Sequence, residues 1–150
     1  MRSGQDHKAL RLLLVEDEPL DALIFQRVLS HVDFPHTLEV VTHGEAALSH
    51  LRSGAPLPDL MLLDLNMPRM TGQEVLDHLR TDDALSALKV VVFSSARMVD
   101  EADACLEAGA VAYFEKPFSF DEYGEFTRVL RAYCLEGEPL PTYIHAQAHS

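Results

Sequence analysis

Short apolar runs of strand length alternate five times along this chain with stretches whose apolar residues recur at helical spacing. The runs are Leu10–Val15, Leu38–Val41, Leu60–Asp64, Lys89–Ser94 and Ala112–Glu115. The helical stretches are Leu20–His31, Glu45–Arg52, Gln73–Thr81, Val99–Ala108 and Phe120–Cys134. A strand read as a continuous apolar run is buried on both faces, which is the habit of parallel sheets flanked by helices. The alternation therefore predicts an α/β fold in which one five-stranded parallel sheet is covered on both faces by five helices.

Local signals agree with that order. Leu20, Leu23, Ile24 and Val28 have the spacing of one buried face in the first helix, as do Phe120, Tyr123, Phe126, Leu130 and Tyr133 in the last. Thr42-x-x-Glu45, Thr71-x-x-Glu74 and Ser119-x-x-Glu122 have capping-box form, in which a hydroxyl and a carboxylate satisfy orphan amides reciprocally. Ser53-Gly54-Ala55-Pro56 and Thr81-Asp82-Asp83 read as loops.

With 150 residues, 47% of them apolar and 24% charged, the chain has the size and composition of one globular domain. The expected division is an N-terminal extension over 1–9, the domain over 10–134 and a C-terminal tail over 135–150. Net charge is −12 and no Lys/Arg block occurs, which excludes direct nucleic-acid binding because phosphates need a basic footprint. No apolar stretch approaches the roughly 18 residues of a membrane span, and the N-terminus has no signal core. A cytoplasmic protein is expected. Cys105 and Cys134 lack CxxC spacing and read as free, buried thiols. The pairs His31/His36 and His145/His149 belong to no metal motif. In the tail, Gly137, Pro139 and Pro141 oppose a continuous helix. Leu140, Tyr143 and Ile144 dock on this domain or on a second copy, or the end frays.

Chemistry gathers at the carboxyl ends of the predicted strands, where open α/β sheets carry their ligands. Glu16 and Asp17 follow the first strand, Asp64 ends the third, Ser94 ends the fourth, and Lys116 follows the fifth. Neighbouring carboxylates repel one another and resist ionisation unless a cation sits among them. An all-oxygen set suits Mg2+, which takes one or two carboxylates and keeps waters. Beside it Asp64 can act as a nucleophile toward phosphorus, with the Ser94 hydroxyl and Lys116 ammonium holding phosphoryl oxygens. Taken singly, each residue has a plainer role; Asp17 also reads as a helix cap.

In this arrangement four segments stand out: Leu14-Val15-Glu16-Asp17-Glu18, Leu63-Asp64-Leu65-Asn66-Met67-Pro68-Arg69-Met70-Thr71-Gly72, Phe93-Ser94-Ser95-Ala96 and Tyr113-Phe114-Glu115-Lys116-Pro117-Phe118. Together, over about residues 10 to 134, the chain resembles a response-regulator receiver domain of two-component signalling. The resemblance implies a doubly wound, flavodoxin-like sheet of strand order 2-1-3-4-5. It implies Asp64 as phospho-acceptor, Asp17 as direct Mg2+ ligand, Glu16 acting through water, and the Asn66 backbone carbonyl completing the metal shell. Ser94 matches the hydroxyl that swings toward the phosphoryl group, Lys116 the lysine that pairs with it, and Tyr113 the aromatic switch. Two departures stand: Glu16 replaces the commoner Asp, and Ser95 follows Ser94, which leaves two candidate serines of which the spacing to Asp64 and Lys116 favours Ser94.

By that resemblance the protein is a regulator switched by one covalent charge. No output domain follows in the sequence, so a stand-alone regulator is expected, fed by a sensor histidine kinase and acting on an unnamed downstream target. Asp33-Phe34-Pro35-His36, the turn Thr81-Asp82-Asp83-Ala84-Leu85 and the tail extend the resemblance to regulators serving phytochrome-type kinases. It implies a homodimer through a face of helix four, strand five and helix five, holding Val99, Ala102, Cys105, Leu106, Phe120, Tyr123 and Val129. Such a domain is a phospho-acceptor with slow autodephosphorylation, not an enzyme proper. The alternatives are a phosphorylation-independent adaptor on the same fold and a haloacid-dehalogenase-type phosphatase. The latter wants a second acid where this chain has Asn66.

Overall fold

The computed structural model describes residues 9–94, 99–117 and 119–145. In chain order the elements are β1 (Leu10–Val15), α1 (Pro19–Leu29), β2 (His36–Val41), α2 (Gly44–Leu51), β3 (Leu60–Asp64), α3 (Gly72–Arg80), β4 (Val90–Ser94), α4 (Val99–Glu107) and β5 (Ala112–Glu115). A 3-10 turn (Phe120–Tyr123), α5 (Gly124–Glu136) and a two-residue β6 (Tyr143–Ile144) complete the chain. The sheet runs β2-β1-β3-β4-β5-β6, every pairing parallel. The order is the expected one with a sixth strand added at the edge. A two-residue strand is too short to show any periodicity in sequence.

Alternation along the strands divides the core in two. Leu13, Val15, Met61, Leu63, Val90 and Val92 pack on the face covered by α2, α3 and α4. On the other face, Leu12, Leu14, Leu62, Val91, Phe93 and Phe114 meet Phe25 of α1 and Phe126 and Leu130 of α5. Phe25 lies 4.9 Å from Phe93 and Phe114 lies 4.6 Å from Phe126, ring centroid to centroid. Cys105 is buried on α4, Cys134 is partly buried on α5, and both thiols are free.

Helix α1 turns a different face inward from the one expected. Phe25, Val28 and Leu29 are buried, whereas Leu20 and Leu23 are 65% and 48% exposed. Two apolar stripes overlap on this helix, and the one carrying the aromatic ring buries more surface. The α5 stripe holds at Tyr123, Phe126 and Leu130, but Phe120 in the 3-10 turn is exposed.

Two of the three capping boxes form, at Thr71/Glu74 and Ser119/Glu122. At Thr42 the box does not form: α2 is capped by His43, whose Nδ1 accepts the Ala46 amide at 3.1 Å. Gly44 is the first helical residue there, and a Cβ on it would lie 2.8 Å from Val75 Cγ2, so α2 begins where it can pack on α3.

Four of the seven residues expected on the partner face belong to the core, and Leu106 is half-buried. Ala102, Cys105, Tyr123 and Val129 are buried, and only Phe120 of that set is exposed; the Val99 side chain lies outside the described residues. Moreover, β6 covers the outer edge of β5. The Tyr113 amide donates to the Thr142 carbonyl at 2.8 Å, Ile144 is buried, and Tyr143 Oη donates to Asp103 Oδ1 at 2.7 Å. Residues 1–8, 146–150 and Ser95, the second candidate serine, lie outside the described residues.

Candidate functional site

Parallel pairing puts the carboxyl ends of β1, β3, β4 and β5 at one edge of the sheet. Asp64 sits opposite Phe93, and Ser94 opposite Glu115. Gly72 makes the bend after β3 possible. A Cβ on it would stand 2.6 Å from the Asp64 carbonyl oxygen and 2.8 Å from Leu65 Cα, contacts that no side chain fits. Arg69, at φ 67, takes the left-handed conformation within the same loop.

Carboxylate oxygens of Glu16, Asp17 and Asp64 all lie within 4.8 Å of one another, the one such group among the described residues. Glu16 is 1% and Asp64 2% exposed, while Asp17 is partly open to solvent. Burial pushes the Glu16 carboxyl up to about 8, helped by its hydrogen bond to Asp64 and by that group's charge, against the Glu18 amide and Lys116. Burial also raises Asp64, opposed by the Glu16 bond, the Asn66 amide and Lys116. Two buried carboxyls in contact cannot both carry a charge cheaply, which is why burial and proximity raise Glu16. That charge excess, with hard oxygen donors and a side open to water, fits a small divalent cation.

The remaining groups close around this set. Asp64 Oδ1 accepts the Asn66 amide at 3.0 Å, and Asn66 Nδ2 donates to Ser94 Oγ at 2.9 Å. The fully buried Ser94 hydroxyl also shares a hydrogen bond with the Tyr113 phenol, whose ring is only 7% exposed and already lies inward. Burial raises the Tyr113 phenol above its ordinary range, and the Ser94 bond partly offsets this. Lys116 Nζ donates to Glu16 Oε1 at 3.0 Å and to Asp21 Oδ2 at 2.8 Å. Burial works against its charge, but the Asp21 bond, the field of Asp64 and the Glu16 bond together leave it raised.

All seven expected residues thus meet at one edge. Asp21 and the side-chain role of Asn66 escaped the sequence reading. Asp21 lies in the first turn of α1, two residues past its start and close after Glu16 and Asp17, and that nearness to the acidic pair was the available clue.

The family model for the response regulator receiver domain matches residues 12–126. The chain belongs to that family. The probable methanogenesis regulatory protein FilR2 of Methanothrix harundinacea is 31% identical over 128 residues, spanning 83% of this chain and 83% of its own length. Response regulator Rcp1 of Synechocystis is 30% identical over 135 residues, spanning 87% of this chain and 92% of its own. The solved Mn(2+)-bound form of Rcp1 superposes with a TM-score of 0.75 at 30% identity, covering 87% of this chain and 98% of that one. The phosphorylated cyanobacterial phytochrome response regulator RcpA superposes with a TM-score of 0.79 at 29% identity, covering 89% and 99%. This receiver is therefore a response regulator of two-component signalling, similar to phytochrome-associated regulators. Among its described residues, no helix is long and apolar enough to cross a membrane.

Proposed function

We propose that this receiver accepts a phosphoryl group on Asp64 from a sensor histidine kinase and is switched by it. The observation that carries the reading is the convergence of three carboxylates within 4.8 Å, flanked by a buried hydroxyl and a buried ammonium. Glu16, Asp17, Asp64 and the Asn66 carbonyl are the groups that would hold Mg2+. Bound there, the ion would supply charge neutralisation for the incoming phosphoryl group. Relatives support the reading, since RcpA is described as phosphorylated and Rcp1 as Mn(2+)-bound.

The chain's own residues then have defined work. The Asn66 amide orients Asp64 through Oδ1. Lys116 and Ser94 hold phosphoryl oxygens that Asp64 lacks when free. Turning Ser94 toward the phosphoryl group breaks its bonds to Asn66 and Tyr113, which hands the change to β5 and the strand covering it. The product is a phosphoprotein with slow autodephosphorylation, not a turnover enzyme.

Leu20 and Leu23, exposed on α1 beside Asp21, offer an apolar surface for the kinase near the acceptor. The names of Rcp1 and RcpA favour a phytochrome-type kinase, and phosphotransfer profiling against such a kinase checks it. Self-association through the face that now includes β6 and exposed Tyr143 is checked by sedimentation with and without phosphate. The acceptor itself is tested with acetyl phosphate and Mg2+ by intact mass. One added phosphoryl group in the native chain and none in Asp64→Ala supports the reading. Partner binding untouched by Asp64→Asn would instead favour an adaptor.

A further inference from the structure

We propose that Asp21 is a positioning residue, whose carboxylate holds the Lys116 ammonium in the unphosphorylated receiver and releases it when Asp64 is phosphorylated. The inference rests on the reading of Asp64 as acceptor. Lys116 is held from two sides, by Asp21 Oδ2 at 2.8 Å and Glu16 Oε1 at 3.0 Å. Its side chain is 9% exposed, and its Nζ lies 5.1 Å from the centroid of the Phe93 ring. The stem is thus fixed, and the head can exchange partners only within a small volume.

The two carboxylates differ in what they lose if the ammonium leaves. The Glu16 side chain is 0% exposed, so parting from Lys116 would leave a buried acceptor with neither its donor nor water. The Asp21 side chain is 33% exposed and can be hydrated in compensation. A phosphoryl group on Asp64 adds close to two negative charges to a group whose field already acts on Lys116. The bond to Asp21 is the one that yields. Because that bond is given up on phosphorylation, Asp21 favours the unphosphorylated state.

The step it modulates is balanced without further reactants. An Asp64 oxygen bonds to the phosphorus of acetyl phosphate, the P–O bond to the acetyl group breaks, and acetate leaves with the electron pair. Neutralising Asp21 leaves this chemistry intact and frees Lys116 to meet the phosphoryl oxygens.

The test compares native protein, Asp21→Asn, Lys116→Ala and the double variant, each with Mg2+ and acetyl phosphate. Asp21→Asn should raise the phosphorylated fraction and the phosphoryl lifetime by up to about fivefold, the upper end for a partly exposed ion pair. In the Lys116→Ala background the same change should do nothing, which a merely structural role of Asp21 would not reproduce. Should Lys116→Ala take up too little phosphate to measure, the 15N resonance of the Lys116 ammonium gives the answer, the chain having three lysines. Asp21→Asn should move it in the unphosphorylated protein and not in the phosphorylated one. An unchanged or lower fraction in Asp21→Asn, or a rise that persists without Lys116, overturns the proposal. A native protein that takes no phosphoryl group overturns the acceptor reading as well, so the two failures are distinct.

Discussion

Asn66 Nδ2 donates to Ser94 Oγ at 2.9 Å while its amide donates to Asp64 Oδ1, tying the loop after β3 to the end of β4. On the proposed reading this bond must break before the Ser94 hydroxyl can turn to a phosphoryl oxygen. A neutral hydrogen bond contributes about 0.5–1.5 kcal/mol net, so Asn66→Ala should raise the phosphorylated fraction at fixed acetyl phosphate about two- to tenfold. Phosphate gel mobility against acetyl phosphate concentration measures it.

Glu16 carries the pH dependence of the metal-free protein. Its folded-state value is raised from 4.5 to about 8, first by burial and then by Asp64. The folded protein keeps a proton that the unfolded chain has lost. The associated stability is complete below about 4.5 and disappears as pH rises through about 8. In EDTA the urea midpoint should fall over roughly pH 5 to 8, and Glu16→Gln should flatten that fall. Millimolar Mg2+ should also flatten it, since a cation among the carboxylates replaces the proton.

Gly72→Ala should cost about 1–3 kcal/mol, the usual penalty of forcing atoms into filled space. The added Cβ would meet backbone at 2.6 and 2.8 Å, and neither neighbour is a flexible chain end. Urea denaturation reads the loss. Because the displaced carbonyl is that of Asp64, acetyl phosphate labelling should slow as well.

Much of this was legible in the chain. Buried strands read as apolar runs, and strand ends carried Asp64, Ser94 and Lys116 to one edge. What stayed illegible depended on choices made only in three dimensions. Lys116 selects Asp21, 95 residues away, because α1 happens to begin beside it. The face of α1 was decided by Phe25 finding Phe93, not by the wider apolar stripe through Leu20. The start of α2 was decided by how closely Gly44 lets it approach Val75.

Ile144 is 2% exposed although its strand has two residues, so it is the buried apolar anchor of the tail, beside the Tyr143–Asp103 hydrogen bond and the partly buried Leu140. Ile144→Ala should cost about 2 kcal/mol, the low end for such truncations, because only one short edge strand depends on it. Hydrogen exchange at the Tyr113 amide, which now bonds the Thr142 carbonyl, should accelerate.

The central claim is that phosphate resides on one carboxylate at the end of β3. Reductive trapping addresses it most directly, since borohydride converts an aspartyl phosphate to homoserine at the modified position. After treatment with acetyl phosphate and Mg2+, peptide sequencing should find homoserine at position 64 alone. Homoserine at position 17 or 21, or its absence from every position, would contradict the account.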